Sequence, residues 1–304
     1  MGLGRYKAAF VYTPPRKLKL AKCIFSEREM LDVSWTEIVW LAMAIIAGGL
    51  LTGILAGLFG IGGGGVIVPV LYEVFRIIDV PEEVRMQLCV GTSLAIIVPT
   101  TVRSYLTHKA KGAVIPNIVR IWALPAMLGV AVGSVAAAFA PGSLFKITFV
   151  IFASLMGLKM ILGRESWNLG TQLPGRAVLT GYGFIAGLFS ALVGVSGGSV
   201  SNAVLTLYGR SMQQAVATSA GIGVPITIAG TIGYALAGWR FMPLLPPLSI
   251  GFVSLIGFLL MAPVSSFTAS YGARLAHRIP KRQLEIAFGV FLTLVAVRFI
   301  VSLI

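Results

Sequence analysis

The residues best suited to chemistry in this chain are glycines and hydroxyls at two interruptions of apolar sequence. Residues 56–71 read AGLFGIGGGGVIVPVL, and residues 186–205 read AGLFSALVGVSGGSVSNAVL. Because glycine costs a helix interior about 1 kcal/mol relative to alanine, each run predicts a broken helix. The helix that follows a break begins with free N–H groups and a partial positive charge, and such an end binds anions.

Polar side chains accompany both breaks. Serine replaces glycine in the second copy, and a Thr-Ser pair lies early in the span after each break. These groups could donate to a bound oxyanion, or bond back to the preceding helical turn as Ser and Thr often do in membrane helices. The substrate-binding candidates are Gly62, Gly63, Gly64, Gly65, Thr92, Ser93, Ser196, Gly197, Gly198, Ser199, Asn202, Thr218 and Ser219. Gln87, Gln214 and Arg103 are further candidates, and Pro99 and Pro225 are candidate hinges.

The elements that position these residues are membrane helices. The chain has 304 residues, of which 57% are hydrophobic and 11% charged, whereas a soluble domain carries about 25% charged residues. Several apolar runs reach the roughly 20 residues that span a bilayer. The composition predicts an all-α polytopic membrane protein, multi-pass in the cell (inner) membrane.

The charge balance fits the same class. Lys and Arg number 24 against 10 Asp and Glu, a net charge of +14. In a membrane protein this excess predicts basic cytoplasmic loops in contact with anionic lipid, and not a nucleic-acid partner. With two cysteines in dissimilar surroundings, we expect no disulfide, metal or cofactor.

Four stretches recur in the same order in the second half of the chain. AGLF at 56–59 returns at 186–189, GIGGGGV at 60–66 as GVSGGSV at 194–200, TSLAIIVP at 92–99 as TSAGIGVP at 218–225, and ITFVIFASLMGLKMIL at 147–162 as IAFGVFLTLVAVRFIV at 286–301. The first two shifts differ by four residues, which suggests one extra helical turn before the second break. We therefore predict two repeats, each a glycine-broken helix pair plus three transmembrane helices.

The predicted organisation has four parts. They are a basic N-terminal tail over 1–34, a first transmembrane repeat over 35–163, a linker over 164–176, and a second repeat over 177–304. In the second repeat, the three spans are expected at 212–236, 244–271 and 283–303.

Basic loops should share the cytoplasmic side of the membrane. The loops 103–112, 164–176 and 272–282 do so if the second broken pair enters and returns, or crosses twice. An odd number of further passes in each half then makes the repeats inverted, a common arrangement in transporters. The same count puts the basic tail on the outer side, unless the first broken pair crosses once.

Non-helical backbone at membrane depth requires a cavity or surrounding protein, so the breaks favour a transporter. Close helix packing through glycine is the structural alternative. The leading function is an anion carrier that works by alternating access, and the alternative is an anion channel with opposed re-entrant helices. An enzyme is disfavoured because both histidines lie in loops and no acidic residue lies deep in an apolar run.

The motifs GLFGIGGGGVIVPVL, VGTSL at 90–94 and GVSGG resemble the sulfite exporter TauE/SafE family of membrane permeases over roughly 36–304. The resemblance implies export of sulfite, sulfoacetate or a related sulfonate, with the lipid bilayer as surroundings and a homodimer left open. Ser196 and Ser199 stand where glycine is typical of the family. This difference favours a solute larger or more polar than sulfite.

Overall fold

The computed structural model describes residues 39, 43, 45–54, 63–162, 170, 172–276 and 280–303. The tail at 1–34, residues 163–169 of the linker, and residues 56–62 of the first glycine run lie outside the described residues. The helices are α1 (Ile45–Ile54), α2 (Gly64–Ile77), α3 (Glu82–Ala110), α4 (Pro116–Ala137), α5 (Gly142–Leu162), α6 (Arg176–Val193), α7 (Gly198–Leu207), α8 (Met212–Ala237), α9 (Leu255–Ala276) and α10 (Lys281–Val301). Between α8 and α9 lie a 3₁₀ helix (Trp239–Leu244) and two antiparallel strands, β1 (Ser249–Ile250) and β2 (Val253–Ser254).

The described helices have the length and surface of a membrane protein. Five of them, α3, α4, α5, α6 and α8, are long and apolar enough to cross a bilayer. Their outward faces expose large apolar side chains such as Leu124, Leu155 and Leu236, each more than 60% accessible. In water such faces would drive association, whereas lipid covers them at no cost. The predicted all-α polytopic fold is confirmed.

The centre of the bundle is an antiparallel pair, α3 and α8. Tyr234 lies against Gly91, and one turn further along, Gly230 lies against Leu94. The most apolar stretch of α3 is 78% buried, more than in any other of the five spanning helices. The two helices that carry the Thr-Ser pairs therefore form the core around which the others pack.

The outer helices pack across the two halves of the chain. In α6, Gly183 and Gly187 bring its backbone against Trp122 and Ala126 of α4. In α1, Gly49 and Gly53 likewise bring its backbone against Met261 and Ser265 of α9. Each Gly-x-x-x-Gly pair removes side chains where two helices touch, which permits the closest packing in membranes. The first helix of each broken pair, α1 or α6, thus packs against a helix from the other half of the chain.

The helices α5 and α10 run antiparallel. At one end, the Arg282 guanidinium donates to the carbonyl of Met160 at 2.8 Å. At the other end, the Lys146 ammonium donates to the carbonyl of Ser302 at 3.4 Å. These helices contain the matching sequences 147–162 and 286–301, and opposite direction is what an inverted repeat requires. The repeat itself remains a prediction.

The α6–α7 pair is a helical hairpin whose two outer ends lie side by side. The hydroxyls of Tyr182, in the second turn of α6, and Tyr208, just after α7, are 3.2 Å apart. Each arm of the hairpin, measured from this contact to the break, has 10–11 residues and is therefore about 16 Å long. In the first pair, Gly48 before the break lies against Val70 after it, so these two helices also fold back on each other.

One predicted span is wrong. The sequence suggests a continuous helix over 244–271, but α9 begins at Leu255. Three prolines (Pro243, Pro246 and Pro247) remove backbone donors, and Leu248 and Gly251 adopt positive φ of 58° and 53°. These features exclude a helix. The segment instead forms the two short strands and buries Phe252 completely against Tyr234 and Phe241.

Candidate functional site

Glycine sets the backbone of both breaks. Gly63 and Gly197, the N-cap residues of α2 and α7, have φ of 71° and 69°, and Gly194 at the end of α6 has φ of 77°. These left-handed conformations cost other L-residues about 1–2 kcal/mol. Glycine, which adopts positive φ without this cost, therefore forms the turn at these positions. Gly62 lies outside the described residues.

The two breaks meet inside the protein. Gly64, the first residue of α2, packs directly against the carbonyl oxygen of Gly194 and the backbone of Val195. A β-carbon at Gly64 would come within 2.9 Å of the Val195 Cα, which is closer than real contacts allow. The absence of a side chain at Gly64 therefore lets the start of one half-helix touch the break in the other hairpin.

This meeting point lies at membrane depth. The Ser93 hydroxyl donates to the carbonyl of Gly194 at 2.7 Å. Ser93 lies 11 residues into α3, about 16 Å from the start of that helix and 25 Å from its end. Because irregular backbone at this depth must be enclosed by protein or a cavity, hydrogen bonding by the surrounding helices is required. Ser93 supplies one such bond from outside the hairpin.

The N-terminus of α7 presents donors without backbone acceptors. The first bond that closes the helix runs from the Ser201 N–H to the Gly197 carbonyl, at 3.0 Å. Within the described residues, the N–H groups of Gly198 and Ser199 donate to no backbone carbonyl. In α2, the N–H groups of Val66 and Ile67 both donate to Gly63. Free N–H groups at a helix start favour a negative ligand.

Buried hydroxyls lie in the first turns of α7 and in α8, the helix that packs against it. Ser199, Ser201 and Ser219 are at most 5% exposed, and their hydroxyl oxygens make no hydrogen bond to the part of the chain that the structure describes. The same holds for the Oδ1 atom of Asn202, whose amide nitrogen lies 3.7 Å from the sulfur of Met212. A buried polar group costs about 1–3 kcal/mol when it lacks a partner. These groups therefore suit a polar ligand.

Two of the predicted donors have equivalent structural roles. The Thr92 hydroxyl accepts the N–H of Ser254 at 2.9 Å, and the Thr218 hydroxyl accepts the N–H of Ile115 at 3.1 Å. Each N–H group lies just before the start of a helix that packs against the core pair. The helix is α9 for Ser254 and α4 for Ile115. A hydroxyl that accepts in this way keeps its own proton to donate.

The remaining candidates lie further from the breaks or in structural contacts. Gln87 lies in the second turn of α3, where its side-chain nitrogen donates to the Ala140 carbonyl at 3.2 Å. Gln214 and Arg103 are exposed near helix ends, and Ser196 is buried within the second break. Pro99 and Pro225 lie inside α3 and α8. No cluster of potential metal ligands occurs among the described residues.

Sequence reasoning missed a contact at the crossing of the two core helices. The hydroxyls of Thr101 and Thr227 are 3.4 Å apart and buried. They are separated by 126 residues, the same shift that relates Thr92 to Thr218. In the predicted repeat these two residues are equivalent, and equivalent residues touch only on the axis that would relate the two copies. Extending the TS…VP match by two residues would have found this pair.

Comparisons with known proteins place the chain among membrane transporters. A family model described as "Sulfite exporter TauE/SafE" matches residues 29–299. A "Probable membrane transporter protein" of Haemophilus influenzae is 34% identical over 251 residues, which cover 82% of this chain and 94% of the relative. A protein with the same description from Methanocaldococcus jannaschii is 28% identical over 255 residues, covering 82% and 92%. The relative named YunE in Bacillus subtilis is 25% identical over 221 residues, covering 66% and 81%.

Proposed function

Since the chain belongs to the sulfite exporter TauE/SafE family, we propose that this membrane transporter exports a small sulfur oxyanion, such as sulfite, sulfoacetate or a related sulfonate, by alternating access. The family and its relatives support transport as the activity.

The observation that carries the proposal is the presence, at the α7 N-terminus and in the helix packed on it, of buried hydroxyls that lack a partner within the described residues. Gly198 and Ser199 offer free N–H groups, and Ser199, Ser201 and Ser219 offer hydroxyl donors. A sulfite or sulfonate group carries three oxygens that accept such bonds. Neutral donors and a helix dipole can hold a monoanion without a buried cation.

The energetics favour outward movement. A cell interior is electrically negative, and one elementary charge that crosses 100 mV gains about 2.3 kcal/mol. An anion leaves down this gradient, so export needs no coupled proton. The basic residues at the C-terminal end of α3, including Lys109 and Lys111, would attract the anion to the cytoplasmic face.

Alternating access is supported by the packing of the core. The hairpins meet at Gly64 and Gly194, while α3 and α8 cross at Thr101 and Thr227. Pro99 and Pro225 lie two residues before this crossing and each removes a helical hydrogen bond. With fewer hydrogen bonds near their crossing, α3 and α8 could tilt relative to each other at this point. Each hairpin would stay packed against the opposite half of the chain during this movement.

Reconstitution tests the proposal. Purified protein in liposomes should move sulfite, sulfoacetate or both, with saturable rates and stimulation by anion on the opposite side. Taurine, which carries a compensating positive charge, and phosphonates provide comparisons of charge and shape. Flux of no anion in this panel would overturn the assignment of substrate class, and ionic conductance at channel rates would replace the carrier by the channel.

A further inference from the structure

A buried lysine lies far from the glycine breaks. It is at the end of the bundle where α2 and α10 end and where α3 and α5 begin. Lys146, in the second turn of α5, is 3% exposed. Its ammonium pairs with the Glu82 carboxylate and lies 5.4 Å from the centre of the Tyr72 ring. The Arg85 guanidinium lies at the same distance from that ring. Two cations thus share one aromatic ring.

The balance of charge at this point is uneven. Lys146 and Glu82 both lie near helix N-termini, where the partial positive charge favours anions and disfavours an ammonium. The buried ammonium therefore depends on an anionic partner. Among the described residues, Glu82 is the carboxylate that pairs with it. A second carboxylate at this end, Glu73, pairs with Arg76 and Arg298 at 2.7 and 3.1 Å.

The partner is itself accessible to water. The Glu82 side chain is 65% exposed, although the ammonium beneath it is nearly inaccessible. A carboxylate in this position can turn into solvent at little cost to itself, whereas Lys146 cannot follow. The carboxylate occupies the place where the oxygens of another anion would bind.

We infer that Lys146 forms a second oxyanion site at the outer end of the transporter. In this structure the Glu82 carboxylate occupies the site, and a solute anion binds by displacing that carboxylate from Lys146. The end is the outer one because the basic residues Arg103, Lys109 and Lys111 lie at the opposite end of α3. This inference rests on the proposed export of oxyanions. The site would receive the anion that leaves the protein, and Glu82 would return to close it.

Anion-dependent thermal stability tests the inference without transport. In Glu82→Gln the buried ammonium loses its partner, so the apparent melting temperature should fall. Sulfite or sulfoacetate, added at constant ionic strength against potassium gluconate, should restore it by at least about 3 °C once the anion is well above its dissociation constant. The same anions should shift the wild-type protein less, because Glu82 competes.

Two variants control for a merely structural ion pair. The double variant Glu82→Gln/Lys146→Gln lacks the cation and should lose the extra anion response. Glu73→Gln removes a carboxylate at the same end but leaves half-exposed arginines, and should respond like the wild type. Equal anion responses in all four proteins would overturn the inference. If the wild type transports an oxyanion and Glu82→Gln shows no extra response, this second site fails alone. Absence of transport by the wild type would instead refute the proposed function.

Discussion

The contact between the two breaks makes a sharp prediction for Gly64→Ala. A β-carbon at position 64 would lie 2.8 Å from the Cγ1 atom and 2.9 Å from the Cα atom of Val195, and closer still to the Gly194 carbonyl. Ordinary contact begins near 3.4 Å, so the backbones must separate by at least about 0.5 Å. Overpacking of this kind costs about 1–3 kcal/mol.

Part of this cost is offset by helix propensity. Alanine gains up to about 1 kcal/mol over glycine within a helix. We therefore expect Gly64→Ala to destabilise the protein by about 1–2 kcal/mol, which lowers the melting temperature by roughly 2–6 °C for a chain of this size. Thermal unfolding of the purified protein, followed by intrinsic fluorescence in detergent, measures the change.

The adjacent glycine is the matched control. A β-carbon at Gly65 would meet its nearest neighbour, the Cδ2 atom of Leu292, at 3.6 Å, which is ordinary contact. Gly65→Ala should therefore keep or raise the melting temperature. Equal effects of the two substitutions would refute the packing of the breaks against each other.

Three further predictions follow from the hydrogen bonds and the topology. Ser93→Ala should lower stability by about 1 kcal/mol, because it removes the donor to the Gly194 carbonyl, as denaturant titration would measure; no loss would mean that this bond does not hold the break. The variants Thr92→Val and Thr218→Val each leave a backbone N–H without its acceptor, so each should lose about 1–3 kcal/mol of stability in thermal unfolding. Similar losses would fit equivalent roles of the two residues, whereas a loss in only one variant would argue against the repeat. In a chain without its native cysteines, Gly112→Cys and Gly209→Cys should react with impermeant thiol reagents from the same side of the membrane, and labelling from opposite sides would exclude the α6–α7 hairpin.

Much of the fold follows from the sequence because its signals are local. Apolar length identifies spanning helices, and glycine with positive φ marks the breaks at Gly63 and Gly197. The non-helical segment before α9 was also readable in principle, since Pro243, Pro246 and Pro247 remove three donors within five residues. Its high apolar content conceals this signal when hydropathy alone is followed.

The alignment of the first helices was harder to read. The AGLF motif suggests a shift of 130 residues and an inserted turn before the second break. The contacts pair Gly49 and Gly53 with α9 in the way that Gly183 and Gly187 pair with α4, which favours a continuous shift of 134. Short motifs in apolar sequence recur by chance, whereas packing identifies the glycines that perform the same task.

The roles of individual polar residues could not be read from their types. Ser93 and Ser219 match in sequence, yet Ser93 donates to Gly194 while Ser219 has no partner within the described residues. The burial of Lys146 also leaves no local signal, because it depends on Glu82, 64 positions away. Long-range contacts decide which groups hold the fold and which can bind a ligand.

We propose that the α7 N-terminus and the buried hydroxyls of α7 and α8 bind the transported anion. Equilibrium binding of radiolabelled sulfite or sulfoacetate to purified Ser199→Ala/Ser219→Ala and wild-type protein would measure this binding. We predict at least a tenfold loss of affinity from two lost donors of about 1 kcal/mol each. Stability should be unchanged or raised, because the two buried hydroxyls that are removed have no partner among the described residues. Unchanged affinity in the double variant would contradict the account.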